Sequence, residues 1–124
     1  MKHEIFGELV FNTGWKSKKT LTMFNNNYSV NLKLQAYYEE DGITQEQEQA
    51  YKEYLSSESE LLEVAEKMLL EKDSMASDRF IPKTLLVNRD GSIAIMCDDE
   101  DEPDEGIAIC LMPEMQIMSQ DDYL

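Results

Sequence analysis

The sequence predicts an α+β domain, an antiparallel sheet with two helices packed on one face, in the order βββ–αα–ββββ. Three observations carry this reading. Tyr28, Val30, Leu32, Leu34 and Ala36 alternate with Ser29, Asn31, Lys33 and Gln35, the period of two that marks a strand with one buried face. Apolar residues between Ala50 and Leu69 recur at helical spacing. Short apolar runs around Asp90-Gly91 then return the chain to strands. Strands, then helices, then strands again place the helices together on one side of a sheet.

The first strand is read over Ile5 to Phe11, apolar around Gly7 and Glu8, and Asn12-Thr13-Gly14 is turn chemistry. Leu21 and Met23 alternate with Thr20 and Thr22, and Phe24 ends that run. Asn25-Asn26-Asn27 is read as the turn into the next strand, because Asn tolerates positive φ.

The middle of the chain carries two capping boxes. Thr44 with Gln47, and Ser57 with Glu60, each place a hydroxyl at a helix start and an amide or carboxylate three residues on. Ser56-Ser57-Glu58-Ser59 interrupts the apolar stripe, and Glu58 falls where a continuous stripe needs an apolar residue. The expectation is therefore two helices, 44–55 and 58–73, with a break near Ser56–Ser59.

In the last third, Thr84 to Val87, Ile93 to Cys97, Gly106 to Met112 and Met115 to Met118 read as strands. Asp98-Asp99-Glu100-Asp101-Glu102-Pro103-Asp104-Glu105 reads as an acidic loop. Ile93, Ile95 and Cys97 share one face of their strand, and Ile107, Ile109 and Leu111 one face of the next. The register that joins these faces puts Cys97 opposite Ile109 and points Cys110 the other way, so both cysteines are expected as free thiols.

A chain of 124 residues suits one domain, read over residues 1–124. Its 26 Asp and Glu against 11 Lys and Arg give a net charge of −15. Such charge repels nucleic-acid phosphates and anionic lipid and attracts basic proteins and cations, and it is read either as a solubilising surface or as one shaped for a basic partner. No apolar run approaches the ~18 residues of a membrane span. No signal-peptide pattern opens the chain, and the expected location is the cytosol.

No catalytic apparatus stands out. His3 is the one histidine and sits at a terminus expected to fray. The five glycines make no phosphate loop. The acidic run fails as a calcium loop: starting at Asp98, the sixth position holds Pro103 where glycine is required. No enzyme activity, cofactor or metal is therefore expected. Asp98, Asp99, Glu100, Asp101, Glu102, Asp104 and Glu105 are instead read as a contact surface for a basic partner, against the alternative of a solvated hairpin loop. Trp15 is read as closing one end of the core, with a partner-facing hot spot as the alternative, and Met112, Met115 and Met118 as a soft, partly exposed patch.

Six segments recur together in order: Gly14-Trp15; Tyr28 to Ala36; Ile43-Thr44-Gln45-Glu46-Gln47 with Ala50-Tyr51; Phe80 to Leu85; Glu105 to Ile109; and Gln120 to Leu124. Through them the chain resembles a family of small acidic bacterial domains of unknown function, similar to the immunity proteins of contact-dependent and polymorphic toxin systems. The resemblance implies a binding protein that neutralises a cognate toxin, and it supplies no catalytic residues. A nuclease toxin would be basic because it binds phosphate, and an inhibitor of charge −15 would be steered to it. The second reading is a housekeeping or regulatory interaction domain, homodimeric through an exposed sheet edge.

Overall fold

The computed structural model describes residues 1–123; Leu124, the last residue of the C-terminal motif, lies outside them. A small hairpin opens the chain, β1 (Lys2–His3) with β2 (Gly7–Glu8). The main sheet has seven strands in sequence order. They are β3 (Val10–Phe11), β4 (Trp15–Met23), β5 (Asn26–Leu34), β6 (Phe80–Val87), β7 (Ile93–Asp99), β8 (Gly106–Met112) and β9 (Gln116–Ser119). Between β5 and β6 run a 3-10 turn (Glu39–Asp41), the long helix α1 (Gln45–Lys72) and one turn, α2 (Ala76–Arg79). A last turn, α3 (Gln120–Tyr123), follows β9. The first expected strand is thus two short pieces, β2 and β3, and β1 precedes them.

Two expectations fail together. The helical region is one unbroken helix of 28 residues, and β6 lies parallel to β5 in a sheet otherwise antiparallel. The two facts have one cause. A helix hairpin would return the chain to the end where β5 stops and make β6 antiparallel. A single helix of 28 residues runs roughly 40 Å to the far end, so β6 must start there and run parallel.

The helix does not break because the interrupting residues are accommodated within it. Thr44 caps α1 as expected, with Gln47 N donating to Thr44 Oγ1 at 3.1 Å and Thr44 N to Gln47 Oε1 at 2.9 Å. Ser56 turns its hydroxyl back onto Glu53 O at 2.8 Å, so that hydroxyl is satisfied inside the helix. Glu58 does lie on the inward stripe of Gln47, Ala50, Tyr51, Tyr54, Leu62, Ala65 and Leu69. Its carboxylate meets Lys19 Nζ of β4 at 2.9 Å, so a charged pair fills the place of an apolar residue. Lys19 also lies over the Tyr51 and Tyr54 rings, 6.0 and 5.8 Å from their centroids.

The core lies between α1 and one sheet face. Leu21, Val30, Leu32, Leu34, Leu85, Val87, Ile93, Ile95 and Ile109 are buried there, and Trp15 joins the same core. Phe11 meets the Trp15 ring edge-on at 5.2 Å between centroids. The β4–β5 turn is tighter than expected. It consists of Phe24 and Asn25 alone, with φ of 53° and 62°, and β5 already starts at Asn26. Two positive φ values give the twist that a two-residue hairpin needs. Glu66 of α1 accepts from Phe24 N at 2.8 Å and holds the turn.

Both cysteines are free, Cys97 buried and Cys110 half-buried on the other face. The face assignment behind that expectation holds, but the register is two residues away: Cys97 faces Ile107, and Ile109 faces Ile95. A slip of two preserves the faces, which is why the pattern could not exclude it. His3 does not fray. It is half-buried, its Nε2 is 3.1 Å from Glu48 Oε1, and its ring meets that of Phe6 at a tilt, 4.9 Å between centroids. Met112, Met115 and Met118 are half-buried, and the first two pack against the core.

Candidate functional site

The β6–β7 ladder separates the molecule into two ends. Phe80 faces Asp99 at one end and Val87 faces Ile93 at the other, roughly 20 Å apart at a strand's rise per residue. The acidic run occupies the first end. The second holds the C-termini of β5 and β6, the start of α1 and the turn 88–92.

The acidic run is less a loop than expected. Asp98 and Asp99 belong to β7, where Asp98 faces Gly106 and Ile81. Asp99 is buried, 5% exposed, and grips Arg79 with both oxygens: Nε at 2.8 Å and Nη2 at 3.0 Å. Arg79 also meets Asp73 at 3.1 Å and Asp101 at 3.5 Å, and its guanidinium lies 4.9 Å from the Phe80 ring. The hydrogen bonds from Arg79 hold the Asp99 carboxyl below the usual carboxylate range. The Asp73 carboxyl is lowered too, first by the Met75 N–H and then by Arg79. Asp99 therefore joins α2 to β7 and is not available to a partner.

The rest of the run is exposed and folded on itself. Asp101 N donates to Asp99 Oδ1, Glu102 N to Asp99 O and Glu105 N to Glu102 O. Glu100, Asp101, Glu102, Asp104 and Glu105 point to solvent. Glu102 crowds Glu105 and raises the Glu105 carboxyl above its usual range. Of the seven acids, the structure thus gathers six on the surface at one end and withdraws Asp99.

The opposite end is concave. One cleft of about 570 Å³ lies between α1 and the turns 88–92 and 112–115, with Glu46, Ala50, Glu53, Asp90, Met112 and Pro113 in its lining. A second, of about 470 Å³, is lined by Gln35, Tyr37, Asn88, Arg89 and Tyr123, and shares Asp90 and Ser92 with the first. The turn between them is held firmly. Gly91 has φ of 92°, and a Cβ there would lie 3.1 Å from Glu46 O, so the position requires glycine. Asp90 accepts from Ser92 N and Oγ at 2.9 and 2.8 Å, which lowers its carboxyl's pKa. Arg89 donates to three backbone oxygens, Gln35 O, Gly42 O and Asp41 O, at 3.1–3.2 Å. Thr44 Oγ1 returns a bond to Arg89 O at 2.9 Å.

Gln47, fully buried at the start of α1, donates to Gln35 O at 3.0 Å and Val87 O at 3.1 Å. One side chain thereby ties the helix start to the ends of both parallel strands. Sequence reasoning offered only Glu39, Glu40 and Asp41 at this end, as a fallback surface, and did not join them to Asp90-Gly91 or the Thr44 cap, because nothing in the pattern shows that they meet.

Among the described residues, no group of three or more His, Cys, Asp or Glu is arranged to hold a metal ion. Nor is any helix among them long and apolar enough to cross a membrane. No curated protein and no solved structure matches the chain. A family model described as "Domain of unknown function (DUF6985)" matches residues 5–78. That match takes in β2 to β5, the Tyr37–Asp41 segment, all of α1 and most of α2, more than half of the chain, and the protein belongs to the DUF6985 family.

Proposed function

We propose that the protein is a non-catalytic binding module that captures a basic partner protein. At finer grain, the partner is a toxin of nuclease type that the module neutralises by covering its active surface. The observation that carries the reading is the charge: −15 on 124 residues. Among the described residues, ion pairs with Lys, Arg or the N-terminus engage the carboxylates of Glu8, Glu58, Glu63, Asp73, Asp99 and Asp101, which leaves most of the acids unpaired. The field of the remainder speeds encounter with a basic surface, most strongly at low salt. Co-expression with the product of the adjacent gene, scored for rescue of growth, tests the toxin reading. A toxic basic product that the module does not rescue or bind counts against it.

One observation favours a second reading, self-association through a sheet edge. Among the described residues, β3 pairs with β4 at Trp15 and Lys16 alone, and none pairs with the outer edge of β4 from Ser17 to Met23. Lys18 and Lys19 on that edge oppose pairing with another strand. Light scattering across a concentration series distinguishes the two readings, since a sheet-edge dimer gives a rising mass.

A further inference from the structure

Resting on the basic-partner reading, we propose that the partner's contact is an arginine-bearing segment laid across the end of the sheet where β5 and β6 terminate. The cation sits in the cleft walled by Glu46 and Asp90, and the flanking chain lies on Tyr37 and Tyr38. Four independent features of that end carry the assignment.

It is concave, and neither cleft is lined by any residue of the acidic run. A concave site desolvates a side chain in a way that a projecting turn does not. The larger cleft also matches arginine in chemistry. Glu46, Glu53 and Asp90 supply negative charge, no cation lines it, and Ala50, Met112 and Pro113 supply apolar surface for the aliphatic stem. The N-terminus of α1 would by itself disfavour a cation. Here its cap is filled by Thr44 and Gln47, and Glu46 and Glu48 stand in its first turn.

Two tyrosines are stranded beside the clefts, Tyr37 at 77% and Tyr38 at 65% exposure, next to Glu39, Glu40 and Asp41. Exposed aromatic side chains flanked by acids offer cation–π and stacking contact to arginine, and tyrosine is among the residues that dominate interface energies. The last feature is rigidity. Arg89 clamps the Tyr37–Gly42 segment to the turn 88–92 through its bonds to Asp41 O and Gly42 O. Little ordering is therefore needed when a partner arrives.

The test is a titration of ¹⁵N-labelled protein with a blocked pentapeptide bearing two arginines, at about 20 mM salt, beside its citrulline counterpart. The expected result is amide shifts concentrated at residues 37–42 and 89–92 with the arginine peptide and none with citrulline. Tyr37→Ala with Tyr38→Ala should weaken binding about ten-fold, and Glu46→Gln should weaken it measurably. Glu100→Gln with Asp104→Asn, a control of larger charge loss at the other end, should weaken it less. These side chains are exposed, so the variants keep the fold. Shifts concentrated at residues 100–105 would overturn the placement and leave the basic-partner reading standing. No shifts anywhere would overturn both.

Discussion

The pair between Lys19 and Glu58 is the clearest place to test how this helix is held. The Nζ and Oε2 atoms are 2.9 Å apart, with the side chains 14% and 28% exposed. Tyr54 Oη and Glu58 Oε2 are buried beside them without a hydrogen bond of good geometry, so the lysine charge is the main compensation for the carboxylate. Burial first, and the Glu58 carboxylate second, hold the Tyr54 hydroxyl well above the usual phenol range, so it stays protonated. At an effective dielectric of about 20, two charges this close attract by roughly 5 kcal/mol, and desolvation offsets most of it. Lys19→Met leaves Glu58 half-covered and unpaired, at a cost of about 2–3 kcal/mol. For a chain of this size that lowers Tm by roughly 10 °C. Glu58→Leu, paired with Lys19→Met, restores the apolar stripe and should recover most of the loss. The assay is urea unfolding followed by circular dichroism for both single variants and the double. Additive losses, with no recovery in the double variant, would falsify the account of why α1 passes through Glu58 unbroken.

Gln47→Ala should cost about 1–2 kcal/mol, since it removes the side-chain bonds to Gln35 O, Val87 O and Thr44 N, while Val87 O keeps Gln35 N and Gln35 O keeps Arg89 Nη1; an unchanged denaturation midpoint would refute the part given to Gln47 in fixing the helix start. Acid should weaken the α2–β7 joint. Asp99 and Asp73 have folded pKa values below their unfolded ones, so their contribution is complete above about pH 4 and is lost as pH falls through the folded values. Glu105, raised by Glu102, acts in the opposite sense, and its repulsion grows as pH rises past its unfolded value. Asp99→Asn should accordingly flatten the stability profile below pH 4, and a profile parallel to wild type would refute the Arg79 assignment. Thiol reagent at pH 8 should label Cys110 before Cys97, whose thiol burial pushes up to about 12, with two thiols titrating in denaturant; equal native rates would contradict the sheet faces.

Local signals in the sequence settled much of the fold. The alternation of Tyr28 to Ala36 gave β5 its buried face, Thr44 with Gln47 placed the helix start, and Asp90-Gly91 placed the β6–β7 turn, because each depends on neighbours a few residues away. The sense of β6 was not legible, because it depends on whether one helix or two precedes it. That in turn depends on Lys19, 39 positions from Glu58, supplying a charge where the stripe lacks an apolar residue. The site divides in the same way. Charge is a property of composition, so the net charge on which the proposal of a basic partner rests could be read from the residues alone. Only the tertiary structure turned Asp99 inward to Arg79 and drew Tyr37, Glu46 and Asp90 to one concave end. A run of acids looks the same in sequence whether it faces solvent or a half-buried guanidinium, and contact between segments more than forty residues apart leaves no periodic trace.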